Sequence, residues 1–359
     1  MQLPLNVEEI PSPALLLYPD RIEENLRRMI ALAGGAERLR PHLKTHKLAE
    51  VLQLQRSLGL TKVKCATIAE AELAAVARMD EVLLAYPLVG PNVERFLTLV
   101  RLFPDTRFQA TVDSAEALEA LAGHTLEVLL DLDCGMHRTG LPPGPEAEAL
   151  YRQLCKLPGL IPGGLHAYDG HLAEPDIALR RERVAEAFAP IYALRERLLA
   201  AGLPVPRLIA SGTPTFPIHA QNPTLECSPG TCVLWDASYA TKCPDLDFLH
   251  AALVLTRVIS KPGANRLCLD LGHKAIAAEN PHPRVVLPAL PDALAVLQSE
   301  EHLVIETAQA DRIPVGAALL GIPWHICPTV ALYAEAVVIR DHRATERWSI
   351  LARARKLTV

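Results

Sequence analysis

The chain has 359 residues, half of them hydrophobic and only 4% aromatic, with a formal net charge of -5. That is enough apolar material for a large core or two domains. The acidic balance supplies no broad cationic surface for nucleic-acid phosphates or anionic lipid, so neither nucleic acid nor a membrane is expected as a partner. Met1 to Glu9 lacks a basic stretch followed by an apolar core, and no uninterrupted apolar run reaches the roughly 18 residues of a membrane span. The eight cysteines form no close CxxC pairs, which is reduced, intracellular usage. The reading is a cytoplasmic protein.

From residue 12 onward, short runs rich in Val, Leu and Ile alternate with amphipathic stretches of helical period, the pattern of parallel βα units. Strands are expected at 13–18, 38–44, 62–67, 81–87, 107–113, 127–133, 163–168, 207–212 and 227–236, one too many for an eight-stranded barrel. Helices are expected from 19 to about 33, over 115–121 behind Asp113-Ser114, and over 176–201. Alternation stops near Asp236. Strand-like pieces at 252–260, 266–271, 303–305 and 331–340 follow, with almost no helical period, and mark a second, β-rich domain. The expected division is a barrel domain over 12–245 and a β domain over 246–359.

In a β/α barrel, functional groups gather at the carboxyl ends of the strands. The candidates there begin with Lys44 in Pro41-His42-Leu43-Lys44-Thr45-His46-Lys47. A lysine that closes a strand among tuning groups suits Schiff-base chemistry, although a basic turn reads the same way. Arg138 follows in Asp133-Cys134-Gly135-Met136-His137-Arg138, where a salt bridge to Asp131 or Asp133 is the plainer role. Tyr168 offers a face for a planar ring, although a half-buried core tyrosine reads the same way, and His171 is a base near neutral pH, a metal ligand or a solvated loop histidine. Ser211, Gly212, Thr213 and Thr215 form a small-residue loop suited to wrapping a phosphate, although such loops are also common turns. In the second domain His325 and Cys327 lie two apart, so in an extended segment both would point to one face and could grip a borderline-soft divalent ion, although such a pair is more often part of a core.

In their order along the chain these motifs resemble the D-threonine aldolase and D-serine dehydratase family, pyridoxal-phosphate enzymes whose barrel is similar to the N-terminal domain of alanine racemase. The likeness runs from Ser12-Pro13-Ala14-Leu15 through Arg40 to Lys47, the element at 133–140, the loop at 211–216, Pro229-Gly230-Thr231 and Asp270-Leu271-Gly272-His273, to His325-Ile326-Cys327-Pro328-Thr329. The resemblance implies an alanine racemase-like, TIM-type (β/α)8 barrel with a C-terminal β-rich domain. It also resolves the strand count, because strand 13–18 would join the β domain. It further implies that Lys44 holds the cofactor aldehyde and Arg138 contacts the phenolic oxygen of the ring. Tyr168 would stack on the ring, Ser211, Gly212, Thr213 and Thr215 would seat the phosphate, and His325 and Cys327 would bind Mn or Zn against the substrate's β-hydroxyl.

Two departures stand out. Alanine racemases carry an arginine at the position of Ser228, so a neutral partner here makes racemisation less favoured. Family aldolases often place a histidine near Glu174, which leaves His171 as the nearby histidine. The resemblance implies a homodimer that cleaves a small D-β-hydroxy amino acid, as an aldolase or, with the same lysine and metal, as a dehydratase. A racemase and a non-catalytic cofactor carrier are the rival classes.

Overall fold

The computed structural model describes residues 1–359, which divide into two compact units. One unit comprises Arg27–Lys44, Val51–Gly230 and Ala354–Val359, and the other Met1–Leu26, Thr45–Glu50 and Thr231–Arg353.

The first unit is built on seven parallel strands that neighbour one another in chain order: Lys62–Cys65, Glu81–Leu84, Arg107–Val112, Leu126–Leu132, Leu160–Ala167, Leu208–Ala210 and Leu225–Cys227. Every residue of Leu126–Leu132 is buried, as expected of a parallel strand covered on both faces. Leu83, Leu129 and Ile209 meet in a core cluster. Helices return the chain between strands, each opened by a local signal. Thr67 caps Ile68–Val76, Ser114 caps Ala115–Leu121, and Asp176 caps Ile177–Ala200.

The expected strand at 38–44 needs correction. It forms no regular ladder: Leu39 bridges Cys227 and His42 bridges Lys64, one pair on each side. Pro41 has no N–H to donate, so only its carbonyl takes part, accepting from Lys64 N at 3.0 Å. These two bridges stand in the eighth barrel position. Lys44 therefore sits in the single 3-10 turn Leu43–Thr45 and not on a strand. The expected strand at 227–236 stops at Cys227, just before Ser228-Pro229, and a 3-10 turn over Thr231–Val233 follows.

In the second unit Ala14–Leu17 lies between Ala252–Gly263, its antiparallel neighbour, and Glu335–Arg340, its parallel one. The sheet runs on through Arg266–Leu269, Leu303–Glu306 and Leu294–Gln298 on one side and ends at Arg343–Ser349 on the other. Ala318–Pro323 pairs with Ala252–Gly263 and with Val285–Val286. Leu16, Leu253, Leu255, Leu320, Val337 and Ile339 form its core. The strand expected over 331–340 is shortened to Glu335–Arg340, because Ile326–Leu332 is helical. No helix is long and apolar enough to cross a membrane.

Candidate active site

The carboxyl ends of the barrel strands bring three cations around one phenol. Lys44 Nζ lies 5.4 Å from the centroid of the Tyr168 ring, Arg138 Cζ 4.9 Å, and Lys64 Nζ 5.4 Å. Lys44 and Tyr168 are half-buried and Arg138 is exposed. Tyr168 follows directly on Leu160–Ala167 and Arg138 lies in the loop after Leu126–Leu132, so adjacent strands aim them at one place. A cleft between them is lined by Ala85, Asp131, Met136, Thr139 and His166 as well.

Arg138 makes no ion pair with either neighbouring aspartate, and the reason is visible. Asp131 accepts from Thr139 Oγ1 at 2.9 Å and pairs with His166 Nδ1 at 2.7 Å. Asp133 accepts from the amides of Gly135 and His137 and pairs with the His137 ring. Burial works against its charge, but these hydrogen bonds hold its carboxyl below the usual range. The guanidinium is left for a ligand. His171 is exposed, and its Nε2 is close to the Arg138 loop, 3.1 Å from where a Cβ on Gly135 would stand.

The loop at 211–215 is organised from beneath by Asp169. This fully buried carboxylate accepts from Gly212 N at 2.7 Å and Thr215 Oγ1 at 2.8 Å, and pairs with His219 Nε2 at 2.7 Å. Ser211 is held at φ +85°, its Oγ accepting from Ser228 N at 3.2 Å. Two of the expected phosphate donors, Gly212 N–H and Thr215 hydroxyl, thus already serve Asp169. Asp169 escaped the sequence reading, as did Lys64. Lys64 is 2% exposed and donates to Ser228 Oγ at 2.5 Å. Burial lowers its amine to about 7, Lys44 and Arg138 acting in the same sense and Asp169 and Asp131 against them. Ser228 is therefore not an isolated neutral group: it accepts from a lysine and donates to Ala210 O at 3.2 Å.

In the second unit His325 and Cys327 do come together, by a route different from the expected one. His325 is the extended N-cap residue of Ile326–Leu332 and Cys327 lies in its first turn, so helix entry and not strand alternation joins them. His325 Nδ1 pairs with Glu279 Oε1 at 2.5 Å, and Cys327 Sγ stands 3.3 Å from Thr45 Oγ1 and 3.5 Å from Thr231 Oγ1. Burial disfavours the imidazolium, yet Cys327, Glu279 and Asp236 outweigh it and raise His325 to about 9. Asp236, itself pushed up to about 6 by burial, accepts from Ile326 N at 3.2 Å.

These residues fit both groups that the sequence implies. Pyridoxal phosphate is a flat anionic aldehyde, and the barrel offers an amine, an aromatic face and two further cations whose nearest carboxylates are already hydrogen-bonded. The His325 environment favours a cation, and an imidazole whose Nδ1 is bound to a carboxylate presents Nε2 in the manner of a metal ligand. No set of three or more His, Cys, Asp or Glu side chains converges, so protein donors alone would leave coordination positions open.

Fold and site together define a two-part enzyme of the pyridoxal-phosphate class. Residues 18–236 match the model for the alanine racemase N-terminal domain and 251–339 that for a putative serine dehydratase domain. The chain belongs to the alanine racemase N-terminal domain family, and it is a lyase of that cofactor class. It is 30% identical over 356 residues to a D-threonine aldolase of an Arthrobacter species, covering 96% of this chain and 93% of that protein. Among solved structures, the D-threonine aldolase of Filomicrobium marinum superposes with a TM-score of 0.90 at 28% identity, covering 98% of this chain and 99% of that one. The D-threo-3-hydroxyaspartate dehydratase of a Delftia species superposes at 0.85 with 26% identity, with the same coverage of each chain.

Proposed function

We propose that this enzyme is a D-threonine aldolase-type lyase that cleaves a D-β-hydroxy amino acid into glycine and an aldehyde. The observation that supports this most is the convergence of Lys44, Arg138 and Lys64 on Tyr168 at the strand ends, in a chain similar along its length to a D-threonine aldolase. Bound pyridoxal phosphate would supply an electron sink for the bond-breaking step. Lys44 would hold its aldehyde, Arg138 its phenolic oxygen and Tyr168 its ring, and the loop of Ser211, Gly212, Thr213 and Thr215 would seat its phosphate, through donors other than the Gly212 N–H and Thr215 hydroxyl that serve Asp169. His171 Nε2 would take the β-hydroxyl proton. A divalent cation, Mn or Zn, on His325 and Cys327 would act as a Lewis acid toward the β-hydroxyl. The barrel would extend over 12–245, with strand 13–18 joining the β domain of 246–359, and the working form would be a homodimer.

A dehydratase is the second reading, favoured by the likeness to the hydroxyaspartate dehydratase and by a site in which Lys44 could take the α-proton instead. Product analysis separates the two. Purified protein is incubated with D-threonine, pyridoxal phosphate and manganese, and glycine with acetaldehyde is assayed against 2-oxobutanoate with ammonia. Glycine and acetaldehyde are the expected products. 2-Oxobutanoate would replace this reading with the dehydratase, and D-to-L conversion would replace it with a racemase.

A further inference from the structure

Lys64 has no part in the chemistry assigned to Lys44 and His171, yet its position is an expensive one for a lysine. It lies inside the strand Lys62–Cys65, 2% exposed, where its backbone bridges His42. Its side chain donates to a neutral hydroxyl, Ser228 Oγ, and to no carboxylate. The charged groups facing it are Lys44 and Arg138, which repel it, and Asp131 and Asp169, which attract it. Those two carboxylates are already taken, Asp131 by Thr139 and His166, and Asp169 by Gly212, Thr215 and His219. His166 and the Tyr168 ring also lie near it. Three cations thus face two carboxylates whose hydrogen bonds go elsewhere. A buried ammonium in that position has no carboxylate hydrogen-bonded to it.

We propose that Lys64 is an anion-binding residue of this site, its ammonium receiving an anionic oxygen either of pyridoxal phosphate or of the substrate carboxylate. This rests on the pyridoxal-phosphate reading and adds a residue to it. Ser228 is the positioning partner: its proton is turned toward Ala210 O, so its oxygen accepts from the amine and fixes it beside Tyr168. The arrangement couples binding to a proton. With the amine lowered to about 7, the protein free of ligand gives up that proton above neutrality, and an incoming anion draws it back. Affinity is therefore greatest below pH 7 and declines as pH rises through that value.

The test uses full-length apoprotein, wild type against Lys64→Met and Lys64→Arg, titrated with pyridoxal phosphate at pH 6, 7.5 and 9 and followed by cofactor absorbance. Circular dichroism and melting confirm that each variant is folded. Lys44 is common to all three, so its contribution cancels. The expected result is that Lys64→Met binds about tenfold more weakly at pH 6, the worth of one charge-assisted hydrogen bond. The gap closes toward pH 9, and Lys64→Arg flattens the pH dependence. A second arm titrates the cofactor-loaded proteins with D-threonine and follows the perturbed cofactor band. Cofactor affinity unchanged but amino-acid binding weakened identifies the anion as the substrate carboxylate. A folded Lys64→Met that matches wild type in both arms overturns the proposal alone, whereas wild type that fails to bind pyridoxal phosphate overturns the cofactor reading with it.

Discussion

Asp169 touches Gly212 N, Thr215 Oγ1 and His219 Nε2 from a fully buried position. Burial alone would raise its carboxyl, but His219 and the two loop donors more than offset this and hold it below the usual range. In Asp169→Asn the amide turns donors toward donors, so the variant is expected to lose roughly 2 kcal/mol of stability and to release pyridoxal phosphate on dialysis more readily than wild type. Because the folded carboxyl is depressed, the stability it contributes is present above the ordinary carboxylate range and lost as pH falls through its folded value. The melting gap between variant and wild type should therefore shrink in acid. Lys64 has the opposite sign. Its folded amine is lowered to about 7 from an ordinary 10.5, so the unfolded chain binds the extra proton between those values and apoprotein stability rises with pH across that window. Lys64→Met apoprotein should melt higher than wild type at pH 6, by roughly 2 °C or more, with the advantage gone near pH 10. Neither residue was legible in the sequence. Lys64 in Lys62-Val63-Lys64-Cys65 reads as one more polar position of an alternating strand, and the role of Asp169 depends on partners 43 to 50 residues away. The convergence of Lys44, Arg138 and Tyr168 was legible because the sequence reading placed each past an apolar run in a parallel pattern, and in such a pattern strand ends share one rim.

Among the elements, Leu160–Ala167 aims Tyr168 through an irregularity. Val128 pairs with Pro162 and Leu129 with Gly164, so Gly163 is an extra residue that resets the register before the strand end. Gly164 sits at φ +106°, where a Cβ would stand 2.0 Å from Arg207 O. Gly164→Ala should therefore open the pairing with Leu208–Ala210 and cost more than about 2 kcal/mol, read as a fall in melting temperature together with a weakened cofactor absorbance. The helix at 176–201 was legible almost to the residue, since Asp176 caps Ile177–Ala200 through the amides of Ala178 and Leu179. The segment at 38–44 was less so. Its apolar-polar run resembles a strand, but Pro41 removes a donor and leaves two bridges where a ladder was expected. The His-x-Cys pair was found for a reason the structure replaces: with Thr329 Oγ1 bonding back to His325 O at 2.8 Å, the segment enters a helix instead of extending.

For the whole molecule, the residues proposed to hold the cofactor belong to one compact unit and the proposed metal donors to the other, so the two proposed dependences are separable by mutation. On the proposed reading, cofactor retention depends on Lys44, Arg138 and the loop at 211–215, none of which a change at His325 alters chemically. His325→Ala is expected to keep the visible cofactor band with wild-type intensity while lyase activity falls by at least about 100-fold. Dialysis against a chelator should do the same to wild type, and added manganese should restore the wild type alone. Glu279→Gln supplies the graded case. Its amide can still accept from His325 Nδ1 but no longer offers a charge, so metal affinity should weaken roughly tenfold and activity should return at higher manganese. If His325→Ala keeps full activity in metal-free buffer, the cation has no part in the reaction, and the lyase chemistry rests on the barrel residues and the cofactor they hold.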